Sequence, residues 1–408
     1  MRTGDEITIE PSELVAGGDA LARVDGFPIF AGNVYPGDVA LVRLTEVKKG
    51  FARAELVRIE RASPLRRAAP CPVAGECGGC DWTALRLDAQ LAAKKRILAE
   101  SLRRIGKFDA WPPIALHVSP LNYRLRSRLH ADGDAVGFYA MSSRAQGAGG
   151  GAQMVHSREH HLRPAPRALP PLRVVPLARE CEVVGVETAK HPIAGETWEI
   201  DGRFVVGEFS LLGYTLSTGA FFQVNRHLLE TMLRRVSEIA ASGAPHPRFA
   251  DPLPAGGERV AEGRVRGATR GDRTAIDLYA GVGFFTRPLT TLFERVIAVE
   301  GSNVSIRYLR INTTAEAIHA PVEQWVARMP EADFIFLDPP RAGARPEVID
   351  AVAKKAGRIC YLSCDPVTFA RDANRLRAAG WRLATLDLLD LFPNTHHVET
   401  LSSFERAA

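Results

Sequence analysis

Four groups of residues in this chain carry chemistry that core-building does not need. The first is Cys364, within Arg358-Ile-Cys-Tyr-Leu-Ser-Cys-Asp-Pro-Val367. Ile359 to Leu362 reads as a short buried strand and Ser363 to Pro366 as the turn that ends it. Strand ends in an open α/β sheet gather ligands and reacting groups, and thiolate is a strong nucleophile near neutral pH. A half-buried cysteine that only packs is the competing reading. The second group is Asp338-Pro-Pro-Arg341, which follows the apolar run Phe334 to Leu337. Two prolines make that loop rigid and fix the Asp338 carboxylate over the sheet edge. The third is Gly281-Val-Gly283 after the strand Ala275 to Tyr279, with Glu300 ending the next strand. Glycines let backbone amides approach a ligand, and a strand-end acid accepts bonds from ribose hydroxyls, so an adenosine-containing cofactor is expected. The fourth is Cys71-x5-Cys77-x2-Cys80, three thiols with glycines between them. That spacing can hold three corners of an iron–sulfur cluster, or of a zinc site, with a fourth ligand from elsewhere.

The elements that must position these groups follow from the pattern. From Thr274 onward, short apolar runs alternate with helical stretches, which is the signature of a doubly wound parallel sheet. Residues 1–62 instead alternate short β-like runs with the turn pairs Gly17-Gly18 and Asp25-Gly26, and five strands of a small oligonucleotide-binding-type barrel are expected. Lys48, Lys49, Arg53, Arg58 and Arg61 sit around its last strands and could track phosphates or form a solvated basic face. Gln90 to Arg104 reads as an amphipathic helix with Lys94, Lys95, Arg96, Arg103 and Arg104 on its basic side. In Asn122-Tyr-Arg-Leu-Arg-Ser-Arg-Leu-His130, Arg124, Arg126 and Arg128 would form a row on one strand face beside Tyr123. An edge strand can do this for solubility, but arginine beside an aromatic also suits phosphates and unpaired bases, and RNA or DNA contact is the favoured reading. Residues 143–152 read as a flexible turn and Ala241 to Asp272 as a hinge.

Composition sets outer bounds. The 408 residues call for two or three domains, and 46% hydrophobic with 24% charged residues is a soluble globular balance. A net charge of +5 suits a polyanionic partner without establishing one. The charged start, Met1-Arg-Thr-Gly-Asp-Glu, has no apolar signal segment behind it, and no run approaches the roughly 18 residues of a membrane span. A cytoplasmic protein is expected, with crowded cysteines serving a metal or cluster before disulfides.

Taken together, these motifs resemble the S-adenosylmethionine-dependent RNA uracil-5-methyltransferases. The resemblance is to the bacterial 23S ribosomal RNA group that carries a TRAM barrel and a [4Fe-4S] cluster. It runs over nearly the whole chain. It includes Phe221-Phe-Gln-Val-Asn225, Asp277-Leu-Tyr-Ala-Gly-Val-Gly283, Ser363-Cys-Asp-Pro366 and the tail Phe392-Pro-Asn-Thr-His-His-Val-Glu399. The resemblance implies that Cys364 adds to uracil C6 and that Glu399 removes the C5 proton. It also implies that Asp338 and Gln223 touch the base and the cofactor, with Tyr279, Gly281, Gly283 and Glu300 in the cofactor site. The implied fold is a Rossmann-like α/β methyltransferase domain at 216–408. A TRAM-like barrel at 1–62 and a central α/β domain at 63–215 precede it, and the whole is expected to act as a monomer. Two positions depart from the family pattern. No fourth cluster cysteine is present, and His160 takes its place, leaving iron–sulfur, zinc or a lost site open. Pro321 stands where an adenine-contacting acid is usual, with Glu323 a possible substitute. A transfer RNA target is the nearest alternative, and a non-catalytic RNA-binding assembly factor is the alternative from another class.

Overall fold

The computed structural model describes residues 1–71, 73–132, 135–139, 154–156, 178–187, 192–200, 203–205, 208–217, 219–242 and 273–407. The backbone alone is described in the strands between 126 and 205. His160, the turn at 143–152 and residues 243–272 of the expected hinge lie outside the described residues.

The N-terminal strands are β1 (Glu6–Ile9), β2 (Glu13–Leu14), β3 (Ala20–Val24), β4 (Phe27–Ala31), β5 (Val39–Val47) and β6 (Ala52–Arg61). They form one sheet in the order β1-β5-β6-β4-β3-β2, six strands where five were expected; the extra one, β2, has only two residues. Alternate residues point inward, so Ala40, Val42 and Leu44 of β5 are buried while Arg43 is exposed. Helix α1 (Leu87–Arg104) and strand β7 (Ile114–His117) follow, then β8 (Arg126–Asp132), β9 (Ala135–Tyr139), β10 (Met154–His156), β11 (Ala178–Glu187), β12 (Pro192–Ile200) and β13 (Arg203–Val205). Strands β8 to β13 make a second sheet in the order β10-β9-β8-β11-β12-β13. A hairpin of β14 (Glu208–Leu211) and β15 (Tyr214–Ser217) leads to α2 (Leu229–Ala241).

The C-terminal part alternates β16 (Thr274–Leu278), α3 (Thr286–Leu292), β17 (Arg295–Glu300), α4 (Asn303–Asn312), β18 (Glu316–His319), α5 (Val322–Trp325) and β19 (Phe334–Leu337). It continues with α6 (Pro346–Lys355), β20 (Ile359–Ser363), α7 (Pro366–Ala378), β21 (Trp381–Leu389) and β22 (Glu399–Arg406). Its eight-stranded sheet runs β18-β17-β16-β19-β20-β22-β21-β7. Every residue of β19 and β20 is buried, as expected for strands covered on both faces by helices. The order reverses direction at β16, so β16 and β19 open a crevice at their carboxyl ends.

Two features of this sheet place the chemistry. Strand β22 runs antiparallel to β20 and β21, pairing Thr400 with Ser363 and Glu399 with Leu389. Its first residue, Glu399, therefore lies at the same edge as the carboxyl ends of the parallel strands. Strand β7 adds to the far edge, parallel to β21, and α1 packs on α7. Part of the expected central domain, 87–117, is thus built into the C-terminal sheet and its helix layer. The join is fastened by Asp387, buried in β21, which accepts from Arg235 Nε at 2.9 Å and meets His117 Nε2 at 2.6 Å.

Candidate active site

Cys364 follows the last residue of β20 and is half-buried. The turn is shaped by Asp365, whose Oδ1 accepts the Val367 and Thr368 amides at 2.9 Å and so caps α7. Proline at the first helical position, Pro366, suits that start. Burial, then the nearby Glu399 and Asp338, push the Cys364 thiol up to about 12, against a smaller pull from Arg341. Asp338, half-buried at the end of β19, accepts from Gln223 Nε2 at 3.4 Å. Burial and the Asp277 carboxyl push Asp338 up to about 8. Glu399 is 5% exposed, and burial followed by Asp338 drives it well above the ordinary carboxylate range. Like charges crowded out of water favour their protonated forms, so each acid of this pocket resists ionisation.

The adjoining crevice is built from β16 and β17. Tyr279 has φ 64° and Gly281 φ 57°, a left-handed turn that swings the backbone around the strand end. The Gly281 amide donates to Glu300 Oε2 at 2.8 Å and the Ser302 amide to Oε1 at 2.7 Å, which fixes the Glu300 carboxylate at the crevice wall. A Cβ at Gly281 would meet nothing within 4 Å, so space for a ligand lies over it. At Gly283, by contrast, a Cβ would run into Thr313 Cγ2 at 2.6 Å and Leu309 Cδ1 at 3.0 Å. Its need for glycine comes from its φ of +89° and from close packing against α4 and Thr313. Beneath the turn, Asp277 is buried and pushed up to about 7, chiefly by burial. Thr286 Oγ1 donates to its Oδ2 at 2.5 Å, while Oδ1 has no partner among the described residues. Tyr279 Oη donates to Glu323 Oε1 at 2.9 Å, so Glu323, and not Pro321, presents an acid at this end of the crevice.

The motif readings fare differently away from the pocket. Asn225 is fully buried; its Nδ2 donates to Ser119 Oγ and to the Leu391 carbonyl, each at 2.8 Å, so it braces the fold beneath Gln223. Tyr123 must be corrected. Its ring is 5% exposed, edge-on to Phe392 with centroids 6.2 Å apart, and cannot stack on a base as placed. Arg124 pairs with Asn225 in an isolated bridge, ahead of β8, while Arg126 and Arg128 lie in β8 opposite Val184 and Glu182. Lys94 is also corrected: it is completely buried and bonded to Asp390 Oδ1 at 2.6 Å, not part of a basic face. On the barrel, Arg53 meets Asp19, Lys48 meets Glu46 and Arg58 meets Glu60, so its cations belong to a mixed-charge surface. Cys77 is buried, and Cys71 and Cys80 are half-buried. Among the described residues no three His, Cys, Asp or Glu side chains come together as a metal site. Burial raises the Cys80 thiol, and Cys77 and Cys71 push it the same way, so the three thiols are neighbours, while His160 lies outside the described residues. No helix among the described residues is long and apolar enough to cross a membrane.

Comparison with known proteins bears on what this site is. The tRNA (Uracil-5-)-methyltransferase family model matches residues 327–406, which hold Asp338, Cys364 and Glu399, and the TRAM domain model matches residues 3–57. An RNA methyltransferase of Gloeobacter violaceus is 30% identical, the match covering 99% of this chain and 97% of that one. The chain belongs to the RNA uracil-5-methyltransferase family. A 23S rRNA (uracil(1939)-C(5))-methyltransferase of Edwardsiella ictaluri is 29% identical over 98% of this chain and 96% of its own. The Pyrococcus abyssi tRNA (uracil-54, C5)-methyltransferase, solved with S-adenosyl-L-homocysteine, shares the fold. Its TM-score is 0.68 at 21% identity, covering 97% of this chain and 99% of that one. As in other families built on this sheet, the uracil-5-methyltransferase chemistry must be read from the site itself. Sequence reasoning missed one part of it. The β21–β22 loop that carries Glu399 is held by Asp81, Gln90 and Lys94, some 300 positions earlier in the chain. Only the three-dimensional join reveals those partners.

Proposed function

We propose that this chain transfers a methyl group from S-adenosylmethionine to C5 of a uridine in 23S ribosomal RNA. The observation that carries the reading is the meeting of Cys364, Asp338 and Glu399 at one sheet edge, beside the Gly281–Glu300 crevice. S-adenosylmethionine supplies a methyl group on a sulfonium cation. The residues present fit it: open space over Gly281, a fixed Glu300 for the ribose hydroxyls, and Gln223 toward the reacting end. A pocket of three crowded acids favours a cation, and a positive charge there stabilises the ionised forms of Cys364 and Glu399.

In the reaction, the Cys364 thiolate adds to C6 of uracil, and the C5–C6 π electrons move to C5 and O4 as an enolate. Asp338, held protonated, is a donor suited to that developing negative charge. C5 then forms a bond to the methyl carbon as the carbon–sulfur bond breaks. Glu399 takes the C5 proton, the C5–C6 double bond re-forms, and the thiolate of Cys364 leaves. The uridine must be unstacked and turned into the pocket for Cys364 to reach it.

The choice of 23S rRNA draws support from the full-length match to enzymes named for that substrate and from the barrel. A transfer RNA target is favoured by the family description and the shared fold. Incubating the enzyme with labelled S-adenosylmethionine and unmodified 23S and transfer RNA transcripts separates the two. Label in 23S rRNA alone supports the proposal, and label in transfer RNA alone overturns it. The finer reading also assigns a [4Fe-4S] cluster to Cys71, Cys77 and Cys80. Its support is their spacing, and iron and sulfide analysis of anaerobically purified protein tests it.

A further inference from the structure

The nine residues between β21 and β22 carry the chain from Leu389 to Glu399 without secondary structure of their own. A loop of this kind sets its own geometry poorly, yet Glu399 must sit within hydrogen-bond reach of a uracil C5 proton. The loop is held from outside at both ends. At its start, Lys94 Nζ donates to Asp390 Oδ1 at 2.6 Å and to the Phe392 carbonyl at 3.0 Å. In its middle, Gln90 Oε1 accepts the Asn394 amide at 2.8 Å, and the Trp82 amide donates to the Asn394 carbonyl at 2.9 Å.

The last anchor before Glu399 is His396. Its amide donates to Asp81 Oδ1 at 3.1 Å, and its ring Nδ1 meets Asp81 Oδ2 in a short contact. Both side chains are mostly covered, with 15% and 24% of their surface exposed. The cover is the barrel. A side chain at Gly18 would strike the Asp81 carboxylate and approach His396 Nδ1 to 2.9 Å. The Gly18 carbonyl accepts Trp82 Nε1 at 3.0 Å, and Tyr35 Oη donates to the Asp81 carbonyl at 3.3 Å. Gly18 has φ +96°, so both its conformation and its missing side chain are required.

We propose that Asp81 and His396, closed over by Gly18 of the barrel, are positioning residues for Glu399. They fix the end of the loop three residues before the base, and they make the barrel's seat part of the geometry of proton removal. The proposal rests on Glu399 being the base. Its consequence is specific. A displaced Glu399 still permits Cys364 to add and the methyl group to transfer, but proton removal slows, so elimination slows and the methylated RNA stays bonded to Cys364. A merely structural role would lower addition and release together.

The test uses the full chain with S-adenosylmethionine and RNA containing ordinary uridine. Denaturing gels measure covalent protein–RNA adduct, and rapid quench measures free methylated RNA. Glu399→Gln is expected to accumulate adduct, and His396→Ala and Gly18→Ala to do the same to a lesser degree. In the latter two, release should fall about 10- to 100-fold, the scale of a small misplacement of a catalytic group, with RNA and S-adenosylmethionine affinities unchanged. The exchanged pair D81H/H396D should recover release relative to His396→Ala. If Glu399→Gln accumulates adduct but His396→Ala and Gly18→Ala release product at the wild-type rate, the positioning proposal is overturned while the base assignment stands. Parallel loss of adduct formation and release in His396→Ala overturns it as well. If Glu399→Gln itself forms no adduct yet still methylates, the base assignment falls and takes the proposal with it.

Discussion

The proposed catalytic pocket and the joint beneath it treat buried ionisable groups in opposite ways. In the joint, the buried polar groups have partners. Lys94 faces Asp390 with both side chains almost wholly covered, Arg66 grips Asp38 through two bonds of 2.7 Å, and Asp81 faces His396. In the pocket, Cys364, Asp338 and Glu399 are all acids, with Asp277 beneath the adjoining turn, and Arg341 is the cation that eases Cys364. Matched pairs hold position but react with nothing. Unmatched acids cost stability and gain reactivity, because their protonation states wait on what binds. The joint therefore supplies the rigidity that the pocket gives up.

The largest expected effect lies in the pocket. Cys364→Ala should abolish methyl transfer, and Glu399→Gln should slow turnover by about 10²- to 10⁴-fold, while neither lowers the urea midpoint. Substantial turnover by Cys364→Ala would remove the distinction between the regions. In the joint the order is reversed. Lys94→Met leaves Asp390 buried without its cation and should cost about 3–5 kcal/mol in urea unfolding. Adding Asp390→Leu should return much of that loss, since the pair is then replaced by apolar contact; strictly additive losses would contradict a coupled pair.

Next comes the pH dependence of the pocket. Asp338 titrates at about 8 in the fold against an ordinary 3.8, so folding favours its protonated form. A raised carboxyl costs no stability below its ordinary value and progressively more as pH rises toward 8. Asp338→Asn should therefore melt higher than wild type, with a gap that grows from pH 4 to pH 8. A gap that shrinks over that range would show Asp338 to be matched, like the acids of the joint. The rate should move the other way. With the Cys364 thiol pushed up to about 12, kcat/KM for RNA should climb as pH rises through the neutral range. The smallest effect is expected on the barrel surface, where Arg58→Ala removes an exposed pair with Glu60 and should change stability by no more than about 0.5 kcal/mol.

What the sequence made legible follows the same division. Strands β19 and β20 announce themselves as short apolar runs, and Asp338 and Cys364 are visible because each directly follows such a strand. Glu399 has no such flag. It reaches the pocket because β22 inserts antiparallel between β20 and β21, a pairing that local pattern does not encode, and family resemblance alone pointed to it. The alternating arginines predicted a surface strand that began with Tyr123. The described backbone starts that strand at Arg126, and the preceding turn carries Tyr123 inward. Lys94 looked like part of a basic helix face because its partner, Asp390, lies 296 positions away. The domain limits blurred for a related reason: β7 leaves the central region to pair with β21, and four residues are too few to signal which sheet they join.

The most direct test of the account uses 5-fluorouridine-substituted RNA with S-adenosylmethionine, followed by mass spectrometry of the digested protein. Fluorine at C5 cannot leave as a proton, so a reaction that runs by addition at C6 must stall with the RNA bonded to the enzyme. The expected result is a nucleotide adduct on the peptide containing Cys364, absent from Cys364→Ser. Methylated fluorouridine released without an adduct, or an adduct that persists in Cys364→Ser, would contradict it.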